Sequence, residues 1–339
     1  MRMLFFHGLP AIYARDLHFV ISCICGIILN KVLFRIWLFT MLDYYFREVN
    51  SDLNRDSFFE RFPKRPADAN KGTFGKILLI SGSQGMAGAA SLNITGAKAL
   101  GAGYIHVALP ESIYPIVASQ HATPVFHPFS DFKTDSAAKN AEDVVSSLLA
   151  GKKAVCFGSG AVNNFAKTSI FNVLNNECKA PLVLDAEALK LIKWSGKSIG
   201  PFDCPLILTP HHGEFSALAD IPLRSIIEDP VRCASEYAGQ NNVIMVLKGR
   251  KTIVAAPDGR YYKNTTGNQG LAQAGSGDIL AGMLTAMLSF VEDPFDAACM
   301  AVFAHGMAAD ELSKEHSKQL LPLERFPEAM DRLFFEKGF

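Results

Sequence analysis

A carboxylate directly after a glycine-rich turn is the feature of this sequence best suited to chemistry. The turn Gly275-Ser276-Gly277 leads into Asp278 and then into an apolar helical pattern. Free backbone N–H groups at the start of a helix bind anions, and glycines let that backbone approach phosphate oxygens closely. Because a carboxylate repels an anion, Asp278 suits a base that takes a proton from a hydroxyl attacking a phosphate. The alternative is an ordinary Asp N-cap after a flexible loop.

Two polar clusters follow other apolar runs. The segment 248–252, Lys-Gly-Arg-Lys-Thr, places three cations and a hydroxyl between two predicted strands. Such a cluster either contacts nucleotide phosphate or ribose, or forms a solvated hairpin tip. The segment 209–214 contains His211 and His212 directly after a strand. A neutral histidine there can hold an amide or a ribose by hydrogen bonds, whereas the alternative is a helix N-cap and turn.

Two glycine clusters complete the set. Gly82, Gly85 and Gly88 have the spacing G-x-x-G-x-x-G, and no acidic residue about twenty positions later is placed to hold a ribose. This argues against a hydride-transfer Rossmann domain, which uses G-x-G-x-x-G. The turn Gly158-Ser159-Gly160 either admits a ligand close to the backbone or is a plain turn.

Composition limits the class of protein. The chain has 339 residues, of which 49% are hydrophobic, with 33 basic and 33 acidic residues and a formal net charge of zero. No basic tract indicates a nucleic-acid surface. The seven cysteines form no Cys-x-x-Cys pair, which favours reduced thiols in a cytoplasmic protein. No His-x-x-x-His pattern is present, so no structural metal is predicted.

The N-terminal part is a separate problem. Residues 19–46 are strongly apolar but are interrupted by Asn30, Lys31 and Arg35, and a membrane span needs about 20 mostly apolar residues. Three interpretations stay open: membrane attachment, a docking helix, or a non-native upstream segment, since Met41 begins a more ordinary soluble sequence. The non-native upstream segment is favoured over membrane attachment, and a docking helix is the least favoured of the three. We therefore divide the chain into an uncertain extension, residues 1–59, and one domain, residues 60–339.

Short apolar runs alternate with helical patterns through that domain. Strands are predicted at 76–81, 104–108, 154–157, 182–184, 206–208 and 243–247, with a hairpin at 252–263 around Asp258-Gly259. Helices are predicted at 111–119, 278–290, 294–315 and 322–335. This alternation predicts an α/β fold: a single domain whose central, mostly parallel sheet is flanked by helices. The polar motifs each follow a strand, so they should converge at one edge of the sheet.

In this order the motifs resemble the ribokinase-like superfamily and, within it, the NAD(P)H-hydrate dehydratase family. The resemblance covers roughly residues 60 to 335. The blocks that carry it are Lys71-Gly72-Thr73-Phe74-Gly75, Gly82-Ser83 with Gly88-Ala89-Ala90, Gly158-Ser159-Gly160, Asp185-Ala186-Glu187-Ala188-Leu189, Leu208 to Glu214, Lys248 to Thr252, and Gly267-Asn268 through Asp278.

The resemblance implies repair of hydrated nicotinamide cofactor, (6S)-NADHX and (6S)-NADPHX. A nucleotide phosphorylates the stray ring hydroxyl and phosphate then leaves, which restores NADH or NADPH. Members of the bacterial type use ADP and yield AMP, and others use ATP. The resemblance also implies Mg²⁺ with the nucleotide, a homo-oligomer such as a tetramer, and a separate epimerase that interconverts the R and S hydrates.

It further implies roles for individual residues. Asp278 is the implied base, and the N–H groups of Gly275, Ser276 and Gly277 stabilise the transferring phosphoryl group. The implied nucleotide contacts are Lys248, Gly249, Arg250, Lys251, Thr252, Asn268 and Gly277. The implied contacts to the hydrated cofactor are Ala89, Gly160, His211 and Asp278.

Three positions depart from the family pattern: His212 replaces a common proline, Ala274 a common glycine, and Gln269 a proline or glycine. The methyl group of Ala274 is tolerable if its φ is negative. Two rival functions remain. One is a kinase of the same superfamily that acts on a vitamin alcohol, and the other is a non-catalytic nucleotide-binding protein.

Overall fold

The structure is a computed structural model that describes residues 46–70, 72–194 and 202–339. Lys71 and nearly all of the apolar segment 19–46 lie outside the described residues. Within the described residues, no helix combines the length and the hydropathy needed to cross a membrane. The predicted α/β fold with one mostly parallel sheet is confirmed.

One ten-stranded sheet runs through the molecule in the order β1-β10-β9-β8-β7-β6-β5-β2-β3-β4. Pairing is parallel except for β8 with β9 and β9 with β10. The strands are β1 (Arg47–Glu48), β2 (Lys76–Ile80), β3 (Tyr104–Pro110), β4 (Val125–Phe129), β5 (Ala154–Phe157), β6 (Leu182–Leu184), β7 (Leu206–Leu208), β8 (Ile244–Leu247), β9 (Ile253–Ala255) and β10 (Arg260–Lys263).

Helices cover both faces of the sheet. They are α1 (Arg55–Arg61), α2 (Ala87–Ala99), α3 (Tyr114–Ala118), α4 (Asp135–Leu149), α5 (Lys167–Glu177), α6 (Glu187–Trp194), α7 (His212–Ala219), α8 (Leu223–Glu228), α9 (Pro230–Asn241), α10 (Ser276–Met287), α11 (Pro294–Leu312) and α12 (Phe326–Glu336). The short 3₁₀ turns are Glu111–Ile113, Gln269–Leu271 and Leu323–Arg325.

Both faces of the central strands are buried, as the continuous apolar runs predict. In β2, Leu79 packs into the cluster that includes α2, α10 and α11, while Leu78 and Ile80 pack into the opposite cluster with α4 and α5. Strands buried on both faces lack the polar alternation of a half-exposed sheet. This explains why runs of only three residues were recognisable as strands.

The described domain includes residues before position 60. Strand β1 pairs in parallel with β10, and Phe58 and Phe59 of α1 are buried in the core. Residues 47–59, which the sequence analysis assigns to the N-terminal extension, therefore pack on the same body. A helix of seven residues with two adjacent buried aromatic side chains gives too short a periodic signal to be recognised.

Helices α2 and α10 approach each other at backbone distance. A Cβ atom added to Gly96 would lie 2.1 Å from the carbonyl oxygen of Ile279, and one added to Gly282 would lie 2.0 Å from that of Asn93. Real Cβ atoms do not tolerate such distances, so only glycine fits at either position. The two helix N-termini are thereby held side by side at the carboxyl edge of the sheet.

Candidate active site

The polar motifs converge at the carboxyl edge of the sheet, as predicted. Ser159 follows β5, Asp185 follows β6, Thr209 follows β7 and Lys248 follows β8. These four strands are neighbours in the sheet. Their end residues are joined by direct side-chain hydrogen bonds, so one compact polar cluster forms there.

Asp185 is the centre of this cluster and is 1% exposed. Its Oδ2 accepts a hydrogen bond of 2.9 Å from the Ser159 hydroxyl, and its Oδ1 accepts one of 2.7 Å from the Thr209 hydroxyl. The ammonium group of Lys248 lies 3.0 Å from the same Oδ1. A buried carboxylate is stable only with such partners.

Lys248 joins the cluster to the glycine turn. Burial alone lowers the pKa of Lys248, but the carboxylates of Asp185 and Glu214 outweigh this effect and raise the pKa above its usual value. The nearest Glu214 oxygen is 3.9 Å away. A Cβ atom added to Gly277 would lie 3.3 Å from Lys248 Nζ. A permanent positive charge therefore lies beside the N-terminus of α10.

Asp278 lies in the first turn of α10 and is half-buried. Burial, together with the negative charge of Asp185, raises the pKa of its carboxyl to about 7, although the positive charge of Lys248 opposes the shift. A carboxyl whose pKa lies near neutrality can accept a proton and release it again at physiological pH. This geometry and electrostatics suit the general base that the sequence predicts.

The turn before Asp278 has the conformation that glycine permits. Gly275 is left-handed with φ +94°, and an added Cβ would lie 2.4 Å from the Leu92 side chain. Ala274, one residue earlier, is exposed and does not have positive φ, so its methyl group causes no backbone strain. The structure therefore accommodates alanine at position 274, where the family commonly has glycine.

Small residues meet near the N-terminal end of α2. Gly160 has φ +66°, and an added Cβ would lie 2.6 Å from that of Ala89, so these two predicted residues are in direct contact. The Ser83 hydroxyl donates a 2.7 Å hydrogen bond to the Gly160 carbonyl. We call Gly82, Ala89 and Gly160 the small-residue side, and Asp185, Glu214 and Lys248 the charged side.

His211 caps helix α7, which was the alternative interpretation of this residue. Its Nδ1 accepts hydrogen bonds from the backbone N–H groups of Gly213, at 3.0 Å, and Glu214, at 3.1 Å. Its Nε2 edge stays accessible, since 60% of the side chain is exposed. His211 also lines a cleft of about 780 Å³ together with Glu214 and Leu218. A contact with the hydrated cofactor thus stays a prediction for the Nε2 edge.

The segment 248–252 forms a tight turn between β8 and β9. The Thr252 hydroxyl donates to the Gly249 carbonyl at 3.2 Å, so this side chain closes the turn. Gly249 lies against the His212 ring, where an added Cβ would be 2.6 Å from Cε1. Arg250 and Lys251 are exposed at the tip. The turn supplies backbone groups and two cations that face solvent.

The side-chain amide of Asn268 is engaged in hydrogen bonds within the protein. Its Nδ2 donates to Asp310 at 2.8 Å and to Ser313 at 3.0 Å, and its Oδ1 accepts from the Gly270 N–H at 2.9 Å. The side chain holds the loop after β10 on α11. Only the backbone of this residue is available for a ligand.

The sequence predicts no individual role for three residues near the site. Asp185 had been quoted only within a matched block, and its signal is an acidic residue directly after a three-residue buried strand. Asn93 and His305 contact the backbone of α10 from neighbouring helices. Both are single polar residues within apolar helical patterns, which gives no sequence signal.

No group of three or more histidine, cysteine or carboxylate side chains that could hold a metal ion occurs among the described residues. Both Asp185 oxygens already accept hydrogen bonds or an ion pair. The remaining carboxylates near the turn are Asp278 and Glu214. Two carboxylates are sufficient for Mg²⁺ only when substrate phosphates and water complete its octahedral shell.

Comparison with known proteins agrees with this geometry. The family described as NAD(P)H-hydrate dehydratase matches residues 77–329. The chain is 34% identical over 273 residues to the ADP-dependent (S)-NAD(P)H-hydrate dehydratase of Bacillus subtilis, covering 80% of this chain and 93% of that protein. It is 31% identical over 255 residues to the enzyme of that name from Neisseria meningitidis, covering 75% and 82%.

A longer relative is also similar. The bifunctional NAD(P)H-hydrate repair enzyme of Moorella thermoacetica is 31% identical over 261 residues, and this chain spans about half of it, 49%. Among solved structures, the ADP/ATP-dependent NAD(P)H-hydrate dehydratase of Bacillus subtilis, co-crystallised with ATP and Mg²⁺, superposes with a TM-score of 0.73 at 29% identity. It covers 84% of this chain and 97% of that one.

Proposed function

Because this chain belongs to the NAD(P)H-hydrate dehydratase family, we propose that it dehydrates (6S)-NADHX and (6S)-NADPHX at the expense of ADP, or of ATP. The products are NADH or NADPH, inorganic phosphate and AMP, or ADP from ATP. The observation that carries the proposal is the position of Asp278. Its carboxyl, with a pKa of about 7, lies in the first turn of α10, where the charges of Asp185 and Lys248 act on it.

Two chemical steps follow from this arrangement. Asp278 takes the proton of the ring hydroxyl while that oxygen attacks the terminal phosphoryl group of the nucleotide. The new oxygen–phosphorus bond forms as the bond to the departing nucleotide breaks. Inorganic phosphate then leaves as its oxygen–carbon bond to the ring breaks and takes the bonding electrons, and loss of a proton from the neighbouring ring carbon to water restores the double bond. Phosphorylation is needed because hydroxide is a poor leaving group.

The charged side and the glycine turn stabilise the transferring group. The N–H groups of Gly275, Ser276 and Gly277 start helix α10, where the helix dipole is positive. Lys248 adds a full positive charge beside Gly277, and Asp185 fixes the position of that charge. Negative charge that develops on the phosphoryl oxygens is thereby stabilised without any rearrangement.

We assign the adenine nucleotide to the turn 248–252 and to Gly277. The turn offers the backbone of Gly249 and the exposed cations Arg250 and Lys251 to the phosphates. Thr252 and Asn268 support this surface, since their side chains are engaged within the protein. The hydrated nicotinamide then lies on Ala89 and Gly160, where small residues let a flat ring approach the backbone.

Mg²⁺ fits this site as an ion that arrives with the nucleotide. Glu214 is the side chain that would hold it, together with phosphate oxygens and water, which leaves Asp278 available as the base. When bound, the ion neutralises charge on the phosphates and orients the transferring group. The proposal also includes a cytoplasmic homo-oligomer, such as a tetramer, and a separate epimerase acting on the R hydrate.

The full-length protein should regenerate reduced nicotinamide absorbance when it is mixed with NADHX, Mg²⁺ and ADP or ATP. Phosphate release should match the absorbance rise, and each nucleotide is tested alone to identify the donor. A vitamin-alcohol kinase would yield a phosphorylated product instead and leave NADHX unchanged. Nucleotide binding with no turnover of either class of substrate would favour the non-catalytic alternative and overturn the proposal.

A further inference from the structure

Two buried side chains bind the first turn of α10 from two neighbouring helices. His305 of α11 is 7% exposed, and its Nε2 lies 3.1 Å from the carbonyl oxygen of Ser276. Asn93 of α2 is fully buried, and its Nδ2 donates a 3.0 Å hydrogen bond to the carbonyl of Asp278. The turn that carries the implied phosphoryl donors is therefore held from both flanks.

The hydrogen bond from His305 has a defined direction. Nε2 also lies 3.5 Å from the Ser276 hydroxyl, but its shorter contact is to the carbonyl oxygen, which only accepts, so we place the ring proton on Nε2. Burial lowers the pKa of His305 to about 4, although the bond to Ser276 opposes this, and the ring is neutral at physiological pH. The ring packs against Phe326, with centroids 5.3 Å apart. Its orientation is fixed by packing on one side and by the Ser276 carbonyl on the other.

The Ser276 carbonyl and the Gly277 N–H belong to one peptide group. Because that group is planar and trans, its C=O and N–H point in opposite directions. A donor bound to the carbonyl therefore fixes where the N–H points. It also polarises the peptide, which makes the N–H a stronger donor. Asn93 acts two peptide groups further along the chain, on the peptide that joins Asp278 to Ile279.

Packing alone does not require an amide at position 93. The Oδ1 atom of Asn93 is buried with no hydrogen-bond partner among the described residues. A buried, unpaired oxygen costs stability. A leucine of similar size would avoid this cost, so the contribution of Asn93 is the bond that its Nδ2 makes to the helix.

We propose that His305 and Asn93 are positioning residues for phosphoryl transfer, which hold the Gly277 N–H and the Asp278 backbone in place without touching either reactant. This inference rests on the proposed function. His305 orients and polarises the peptide that donates to the phosphoryl oxygens. Asn93 fixes the residue that carries the base.

The test compares His305→Leu, which removes the donor, with His305→Gln, whose amide N–H extends to a similar distance along the side chain. We expect His305→Leu to lower kcat about tenfold with the nucleotide KM changed less than about twofold, because the bond acts on a transition-state donor. His305→Gln should recover kcat to within about threefold. Asn93→Leu should behave like His305→Leu. Phe326→Leu is the matched control, since it loosens the same ring but leaves the bond in place.

A second measurement does not require turnover. Aluminium fluoride with AMP mimics the transferring phosphoryl group for an ADP donor, and with ADP for an ATP donor. His305→Leu should weaken this affinity about tenfold and leave the affinity for the nucleotide alone unchanged. If the wild-type protein does not turn over NADHX, the proposed function fails, while the fluoride affinity still tests the anion turn.

Two results would overturn the positioning role. One is an active wild type with His305→Leu equal to it in kcat and in fluoride affinity. The other is a loss that His305→Gln does not restore and that Phe326→Leu reproduces, because the ring would then act through packing.

Discussion

The small-residue side and the charged side are built on different principles. On the small-residue side, backbone segments touch: Gly160 and Ala89 leave no room for a single additional methyl group. On the charged side, Lys248 and Glu214 form an ionic network with the buried carboxylate of Asp185. The first side limits the shapes that can lie against the backbone, and the second sets the electrostatic potential at the Asp278 carboxyl.

The largest effect should come from a substitution of Asp278, the proposed base. We expect Asp278→Asn to lower kcat by about 10³-fold, because a general base contributes about 10²–10⁴-fold. Nucleotide affinity should stay close to wild type. In the wild type, kcat should fall as pH falls through about 7, since protonation removes the base. Unchanged turnover in the variant would refute the assignment.

The same substitution should change stability in the opposite direction. The pKa of Asp278 is raised from 3.8 to about 7 in the folded protein, so its charged form is disfavoured by folding. The wild type therefore loses stability as pH rises between these two values. Asp278→Asn should be more stable by about 2–4 kcal/mol at pH 8 and about equal at pH 4. Urea unfolding at both pH values separates inactivity from misfolding.

One methyl group added at position 160 tests the shape of the small-residue side. Gly160→Ala should lower kcat/KM for NADHX about 10–200-fold, because the added carbon would overlap Ala89 and the residue has positive φ. Gly88→Ala is the matched control: it lies in the same region, has open space around its Cα and has ordinary φ. Equal losses in the two variants would show that the contact has no specific role.

The pH dependence of activity tests the electrostatic potential that the charged side creates. Asp185 raises the pKa of Asp278 by charge repulsion, so Asp185→Asn should lower that pKa and extend activity to lower pH. The absolute rate should also fall, since Lys248 loses its partner. Glu187→Gln, which removes a carboxylate paired with Lys167 and Lys190, should leave the pH profile in place. A pH profile unchanged by Asp185→Asn would contradict this account.

The smallest effect is expected at His211, where two variants separate capping of α7 from contact with the hydrated cofactor. Asparagine is a good N-cap, so His211→Asn keeps the cap of α7, whereas His211→Ala loses about 1 kcal/mol of stability. If the Nε2 edge contacts the hydrated cofactor, both variants should raise its KM about 2–10-fold, the value of one hydrogen bond. Normal KM in His211→Asn would assign this residue to capping alone.

The sequence predicted the fold and the glycine turn more completely than it predicted side-chain partners. Buried strands such as Leu182–Leu184 stand out as apolar runs bounded by polar residues. The edge strand β4 was missed because Pro128 and His127 interrupt its pattern, which an exposed edge tolerates. The helices predicted at the C-terminal end were confirmed, with ends shifted by up to four residues.

Partner choice depends on distances that no local pattern contains. Lys248 pairs with Asp185, 63 residues away, so the cation predicted for a nucleotide is also the counterion of a buried carboxylate. Asn268 pairs with Asp310, 42 residues away, so the side chain predicted to contact the nucleotide also ties its loop to α11. In both cases the residue type was noticed correctly, but its role was decided by a residue in another element.

The backbone contact between α2 and α10 has a consequence for motion. Gly96 and Gly282 leave no space between the two helices, so their N-termini must shift together or not at all. Ala89 and Asp278 belong to this rigid pair, whereas Arg250 and Lys251 occupy an exposed turn between two strands. If the site closes around a bound nucleotide, we therefore expect the turn to move and the helix pair to stay in place. Amide hydrogen exchange should slow on nucleotide binding in the turn and change little along the facing surfaces of the two helices.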